Sequence, residues 1–356
     1  MTNPLFLSLV SCAFGHDAAF DRPLDRQQWE NLFSQAKKHA LLGPLFDVID
    51  EFPAALRPPL AVYARWALAV EDIETAYASR SALAARLQED FSRDGMRSCV
   101  LKGQGIAALY PRPEHRQSGD IDLWVEGGRE KVLSYLSGIC KVRSVVYHHC
   151  DARLSADVPV EVHFTPSWMN SLRLNRRLQR WFASVAGSQF SNGDGSVPAG
   201  TTIEFNAVFC LVHIFRHLFA EGIGLRQLMD YRYILEALPA SSRAGVMDTV
   251  RSLKLGRFAA ALMHVQKEVF LLPDECLLCE PDPVLGAFFL DEVMRAGNFG
   301  RYDPRNAHDS HEGLPARAWR KLSRLVKLSR FCPEEVLSAP LFKTWQLLWR
   351  KSHHYL

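Results

Sequence analysis

The stretch "SGDIDLWVEG", residues 118–127, sets two aspartates one residue apart in an apolar run. Side chains two apart on a strand share a face, so Asp120 and Asp122 project side by side. Neighbouring carboxylates repel unless a cation lies between them. The pair is therefore either an accident of a strand end or half of a metal site. A third carboxylate lies in "VPVEVHF", where Val160, Val162 and Phe164 point one way and Glu161 and His163 the other. If that strand runs beside "DIDLWV", three carboxylates converge on one edge of a sheet. Three oxygen ligands, completed by water and phosphate, suit Mg2+, which rarely receives an all-protein cage; Mn2+ is the alternative ion.

Upstream, "VLKGQGIAALYP" reads as a strand entering a helix through Lys102-Gly103. A helix N-terminus carries unpaired N–H groups and a positive dipole end, and both attract phosphate. Lys102 adds a point charge, and Arg116 has the planar fork that grips phosphate bidentately. The plain reading of Gly103 and Gly105 is a tight strand-to-helix connection.

Other candidates carry less. His163 shares a face with Glu161, as a phosphate contact or as a satisfied histidine at the sheet edge. His148 and His149 fall in the preceding strand, which would turn one to the site and one to the core. His213 and His217 have metal-capable helical spacing, but no third ligand is evident and their apolar surroundings favour core hydrogen bonds. Arg226 and Asp230 sit one turn apart, by default a surface ion pair. Cys276-x-x-Cys279 has no second pair. The arginines at 173, 176, 177 and 180, and the basic run 317–330, read as solvated helix faces or as a surface for an acidic partner. Trp319, Trp345 and Trp349 read as core.

The elements that must position these residues divide the chain in three. Residues 1–95 read as helices: Asp25 caps one bearing Trp29, Leu32, Phe33 and Ala36 at buried-stripe spacing, and Gly95 ends a long one. Residues 96–166 hold short strands ("SCVL", "DIDLWV", "VRSVVYHH", "VPVEVHF") with intervening helices, a small α/β layer. Residues 167–356 are helical again, with loops expected over 186–200 and 297–315. The fold class is thus α+β, a small mixed-sheet core flanked by N-terminal and C-terminal helical regions.

Of the 356 residues 48% are hydrophobic and 23% charged, and the net charge is +3. That balance supports a real core and gives no whole-molecule field for long nucleic acid. Eight unpatterned cysteines fit a reduced, cytoplasmic chain. "LFLSLVSCAFG" reads as a first, partly buried helix; the lipoprotein-like Leu9-Val10-Ser11-Cys12 box lacks preceding basic residues. No apolar run is expected to reach membrane-spanning length, so no membrane partner is expected. Oligomeric state is not encoded legibly.

"VLKGQGIAALYPRPEHRQSGDIDLWV" followed by "VEVHF" resembles the uncharacterised bacterial nucleotidyltransferase family of the polymerase-β-like superfamily. "GIGLRQLMDY" and "GNFGRYD" extend the likeness loosely over most of the chain. The resemblance implies Mg2+-dependent transfer of a nucleoside monophosphate from an NTP to a hydroxyl or phosphate, with release of pyrophosphate. Asp120, Asp122 and Glu161 would be the catalytic and metal-holding carboxylates. Lys102, Gly103, Gln104, Arg116, Gly119 and His163 would contact nucleotide, and Arg226 and Asp230 would face nucleotide or substrate. Gln104 departs from the superfamily, in which many members place a serine after the glycine. The acceptor is open among a small molecule, a glycan, and a peptide or protein, with tRNA a lesser candidate. The alternatives are a member that binds nucleotide or a partner without catalysis, and a D-x-D glycosyltransferase, which would need a larger doubly wound sheet.

Overall fold

A computed structural model of the chain describes residues 3–15, 20, 22–190, 198, 200–303, 305 and 314–355, with only the backbone of 314–318, 320 and 321. Of the loops expected over 186–200 and 297–315, residues 191–197, 199, 304 and 306–313 lie outside the described residues, and the basic run 317–330 begins within a helix described there largely by its backbone. Four helices come first: α1 (Pro4–Cys12), α2 (Arg26–His39), α3 (Leu42–Glu51) and α4 (Leu60–Arg93). Asp25 caps α2 in a reciprocal box with Gln28, which satisfies two of the donors a helix start leaves open. α4 runs 34 residues, and Gly95, at φ +74°, turns the chain out of it.

The middle of the chain gives β1 (Ser98–Leu101), α5 (Gly103–Ala107), β2 (Ile121–Val125), α6 (Gly128–Ile139), β3 (Val142–Val145), β4 (His149–Ala152) and β5 (Val160–His163). The sheet order is β1-β2-β5-β4-β3, with β2 and β5 parallel and the other pairs antiparallel. "VRSVVYHH", expected as one strand, is the first arm of a hairpin that turns after Val145 and returns as β4. The run "VVYHHC" carries no Gly, Pro or Asn to announce that turn.

Helices return with α7 (Leu172–Val185), α8 (Ile203–Ala220), α9 (Leu225–Ala237), α10 (Arg243–Ser252), α11 (Gly256–Phe270), α12 (Pro283–Ala296), α13 (Leu314–Leu328) and α14 (Pro333–Ser352). Among the described residues the fold is mixed α+β, 66% helical, around one five-stranded mixed sheet. The described residues hold no large doubly wound sheet of the kind the glycosyltransferase alternative needs.

Strand alternation sorts the sheet into two faces. Ile121, Leu123, Val125, Val160 and Val162 pack with Ala84, Leu87 and Phe91 of α4 and Val132 and Leu136 of α6. Cys99, Leu101 and Trp124 on the opposite face join the large helical core. Trp124 stacks on Phe205 of α8 at 5.7 Å. Asp122 lies two residues back on that same face, so the strand that buries Trp124 under α8 also carries the carboxylate.

Two expectations are corrected. α8 is 18 residues long and apolar enough to match a membrane-crossing helix by length and composition, although 67% of it is buried within the protein. Trp319 is 71% and Trp345 45% exposed, because the helices bearing them turn those apolar positions outward; helical spacing alone does not say which side a stripe faces.

Candidate active site

The parallel pairing of β2 with β5 sets Asp122 opposite Glu161 and Trp124 opposite His163. Asp122 is buried, and its Oδ1 lies 2.9 Å from both His163 Nε2 and Lys102 Nζ. His163 Nε2 is also 3.4 Å from Glu161 Oε2, and His149 Nδ1 is 3.4 Å from that same oxygen. Burial alone would lower the His163 pKa, but its bonds to Asp122 and Glu161 lift it to about 9. Burial likewise works against ionised Glu161, and His163 outweighs it, holding the carboxyl at about 2. Asp122 is kept below the usual carboxylate range, burial opposing and Lys102 and His163 prevailing. Both carboxylates are therefore anions at neutral pH.

Lys102 reaches Asp122 from an unusual backbone. Its φ of +58° and ψ of −147° lie in a region that essentially only glycine populates. Such a residue stores about 1–3 kcal/mol of strain. Gly103 follows at φ +44° and opens the single turn of α5. Gly105 packs so closely that a Cβ there would sit 3.1 Å from Gly200 Cα and from the Val100 carbonyl oxygen.

These residues open into a cleft of about 1140 Å³, counted with its mouth. Lys102, Gly103, Arg116, Gly119, Asp120, Asp122, Glu161, His163, Arg226 and Asp230 all line it. Gln104 does not. Its side chain is buried off the cleft, with neither amide atom hydrogen-bonded. The expectation that Gln104 replaces the superfamily serine at the phosphates is corrected accordingly: the close seat of Gly105 fixes the turn, and its neighbour is carried inward.

Asp230, expected to pair with Arg226 on a helix surface, is instead buried and paired with Arg116. Arg116 Nε and Nη2 each donate to an Asp230 oxygen at 2.7 Å, and the Tyr110 hydroxyl donates to Oδ1 at 2.7 Å. Both line the cleft, but their polar atoms are turned on each other. Arg226 differs. It is buried, donates from Nη1 to the Gln117 carbonyl at 2.7 Å, and lies 5.7 Å from the Phe299 ring, with its Nε unpartnered. Burial and the nearby Arg116 lower its pKa, the mark of a cation short of anions.

The far wall is α8, whose Cys210, His213, Arg216, His217 and Ala220 line the cleft at one-face spacing. Burial drives His213 well below its ordinary pKa and His217 to about 3, so both are neutral. Arg216 lies 4.3 Å from the Trp168 ring and 3.4 Å from Glu335 Oε2. Glu335 is wholly buried and accepts the backbone N–H groups of Asn170 and Ser171 at 2.7 Å each, which fixes the segment presenting Trp168. Phe299 arrives from the 3-10 turn Asn298–Gly300 and meets His217 edge-on at 5.1 Å. Arg216, Trp168 and Phe299 were not singled out from sequence. A signal existed for one of them, since His213, Arg216 and His217 form a polar stripe on an otherwise apolar helix. His148 and His149, expected on opposite faces, both line the cleft, because they lie at the hairpin turn rather than along one strand.

The donor set suits a divalent cation. Asp122, Glu161 and His163 offer ligand atoms all within 4.8 Å of one another, and Asp120 lines the cleft outside that group. Ionised oxygen donors beside open space fit the partial protein shell of Mg2+.

A family model described as "Uncharacterised nucleotidyltransferase" matches residues 25–271. The chain belongs to that family. The match takes in all five strands and the cleft-lining faces of α8 and α9. Among solved structures, the chain is similar to that of an antigenic nucleotidyltransferase-like protein from Paracoccidioides brasiliensis, at 12% identity and a TM-score of 0.33, over 60% of this chain and 96% of that one. No curated protein matches the sequence.

Proposed function

We propose that this family member transfers a nucleoside monophosphate from an NTP to a hydroxyl or phosphate of a small-molecule, glycan, or peptide or protein acceptor, releasing pyrophosphate, and that it needs Mg2+ to do so. The observation that carries this reading is the register of β2 against β5, which puts two ionised carboxylates side by side in a cleft that also holds Arg226, whose Nε has no partner among the described residues. Asp120, Asp122 and Glu161 would hold the metal, whose charge would stabilise the oxygens of an in-line displacement at phosphorus. Lys102 and Arg226 would take phosphate oxygens, Arg226 through donors that have no carboxylate to serve. The neutral α8 histidines and the Trp168 and Phe299 rings would make the less charged wall against which a base or acceptor lies. Asp230 and Arg116 would act by holding the wall in shape.

The test is release of pyrophosphate from each of ATP, GTP, CTP and UTP with Mg2+ over a panel of hydroxyl and phosphate acceptors. Turnover lost in Glu161→Gln supports transfer. A second reading, nucleotide binding without transfer, draws on the burial of Gln104 away from the phosphate turn. It predicts NTP binding with no pyrophosphate from any acceptor.

A further inference from the structure

Apolar surface is left uncovered chiefly on the last two helices. Among the described residues fifteen large hydrophobic side chains are exposed, and eight of them lie on α13 and α14. On α13, Trp319, Leu322 and Val326 stand at i, i+3 and i+7, which is one helical face. On α14, Leu337, Leu341 and Leu348 stand at i, i+4 and i+11, with Trp345 beside them. Leu337 is 77% and Leu341 76% exposed. Other positions tie both helices to the protein. Leu328 and Ala339 are buried, Arg324 donates to the Leu218 carbonyl of α8 at 2.7 Å, and Glu335 takes the Asn170 and Ser171 N–H groups. The stripes face outward because the opposite faces are already committed.

Charge is equally uneven. Residues 314–356 hold nine Lys or Arg and two Glu, a net +7, whereas the whole chain is only +3, so residues 1–313 carry −4. Both glutamates are spent within the protein, Glu334 on Arg173 and Lys254 and Glu335 on the backbone groups above. Lys327 directly follows Val326, and Lys351 lies one turn past Leu348, so exposed cations rim both stripes.

Leucine and tryptophan rimmed by basic residues are what a helix lying in a bilayer interface presents. Its apolar side chains enter the acyl boundary, tryptophan sits at headgroup level, and the cations meet anionic lipid phosphates. A second copy fits less well, since two-fold pairing would set +7 against +7. Nucleic acid also fits less well, since leucines stand outermost where phosphates would need cations. Seating in an interface requires no membrane-spanning run, so the expectation of no membrane partner, drawn from run length, does not bear on it.

We propose that α13 and α14 dock this protein on the surface of an anionic lipid bilayer, with their exposed Leu and Trp side chains in the headgroup region. Both helices follow the residues 25–271 that match the family, and the proposal does not depend on the transferase reading.

The experiment mixes the full chain, without nucleotide or metal, with two kinds of vesicle and measures bound protein by flotation. One kind is phosphatidylcholine with about a third phosphatidylglycerol, and the other is phosphatidylcholine alone. Binding to the anionic vesicles is expected to be at least about tenfold tighter and to weaken with added salt. Leu337→Gln/Leu341→Gln, at positions too exposed to support the fold, should keep the wild-type melt and lose about tenfold or more in binding. No binding of the folded protein to anionic vesicles would overturn the proposal. So would equal binding to both compositions, or undiminished binding by the leucine variant. With vesicles ignored, a dimer that the leucine variant dissolves would assign the stripes to a second copy, and capture of an RNA hairpin would assign the cations to nucleic acid; either result overturns it.

Discussion

Arg226 stands in the cleft wall with a carbonyl for a partner and, among the described residues, no carboxylate salt bridge, while Arg116, beside it, is spent on Asp230. The two arginines look alike in sequence, and only their neighbours separate a free phosphate donor from a structural pair. Arg226→Ala is expected to weaken NTP binding about tenfold or more, the worth of a charge-assisted hydrogen bond, measured by calorimetry beside a thermal melt that shows the fold intact. At this scale the pairing of Asp122 with Glu161 was legible because strand alternation fixes which side chains share a face, while Asp120 precedes β2 and stands outside that group. Gln104 was not, since its direction depends on how closely Gly105 seats on Gly200. Nor was Arg216, whose place in the cleft depends on the roll of α8 against the sheet.

Between elements, two contacts fix how neighbouring segments pack. Gly222, at φ +128°, lies where a Cβ would be 2.6 Å from the Ala296 Cβ and 3.0 Å from Gly300 Cα. The motif "GIG" thus lets the segment carrying Phe299 lie flat against the start of α9. Gly222→Ala is expected to destabilise by roughly 1–3 kcal/mol through overpacking and backbone strain. Gly138→Ala, with nothing within 4 Å, serves as the control melt.

The second contact is His115, buried between α3 and α4, with Nδ1 2.8 Å from Asp47 Oδ1 and Nε2 2.7 Å from Glu74 Oε1. Burial would lower its pKa, but the bonds to Asp47 and Glu74 raise it. A raised folded-state pKa means that the stabilisation is fully present below the unfolded value of about 6.5. It is then lost as pH rises through the folded one. The melting-temperature gap between wild type and His115→Asn should be widest at acid pH and narrow toward alkaline pH. Existence of helices was legible from periodicity and caps, as Asp25 shows. The hairpin of β3 and β4 was not, for want of a turn residue between them.

At the scale of the molecule, distant parts of the chain close on one another through buried charge. Asp230 of α9 holds Arg116, just ahead of β2, and Glu335 of α14 holds the segment that bears Trp168. Removing one partner of such a pair leaves an uncompensated charge and costs roughly 3–5 kcal/mol. Asp230→Asn should therefore lower the melting temperature sharply, and Arg116→Leu combined with Asp230→Leu should recover part of the loss. A variant that kept full stability and lost only ligand would mean that Asp230 serves substrate instead. None of these pairs can be seen in sequence, because the residues are 114 and 165 positions apart and nothing local marks them as partners.

The most direct test is calorimetric titration of ATP, GTP, CTP and UTP into the protein with and without divalent metal, wild type against the double variant Asp120→Asn/Asp122→Asn. The account predicts that at least one NTP binds wild type only when metal is present and fails to bind the variant at a temperature where its melt shows it still folded. Binding that ignores both the metal and the aspartates, or no binding of any NTP to the folded wild-type protein, would contradict it.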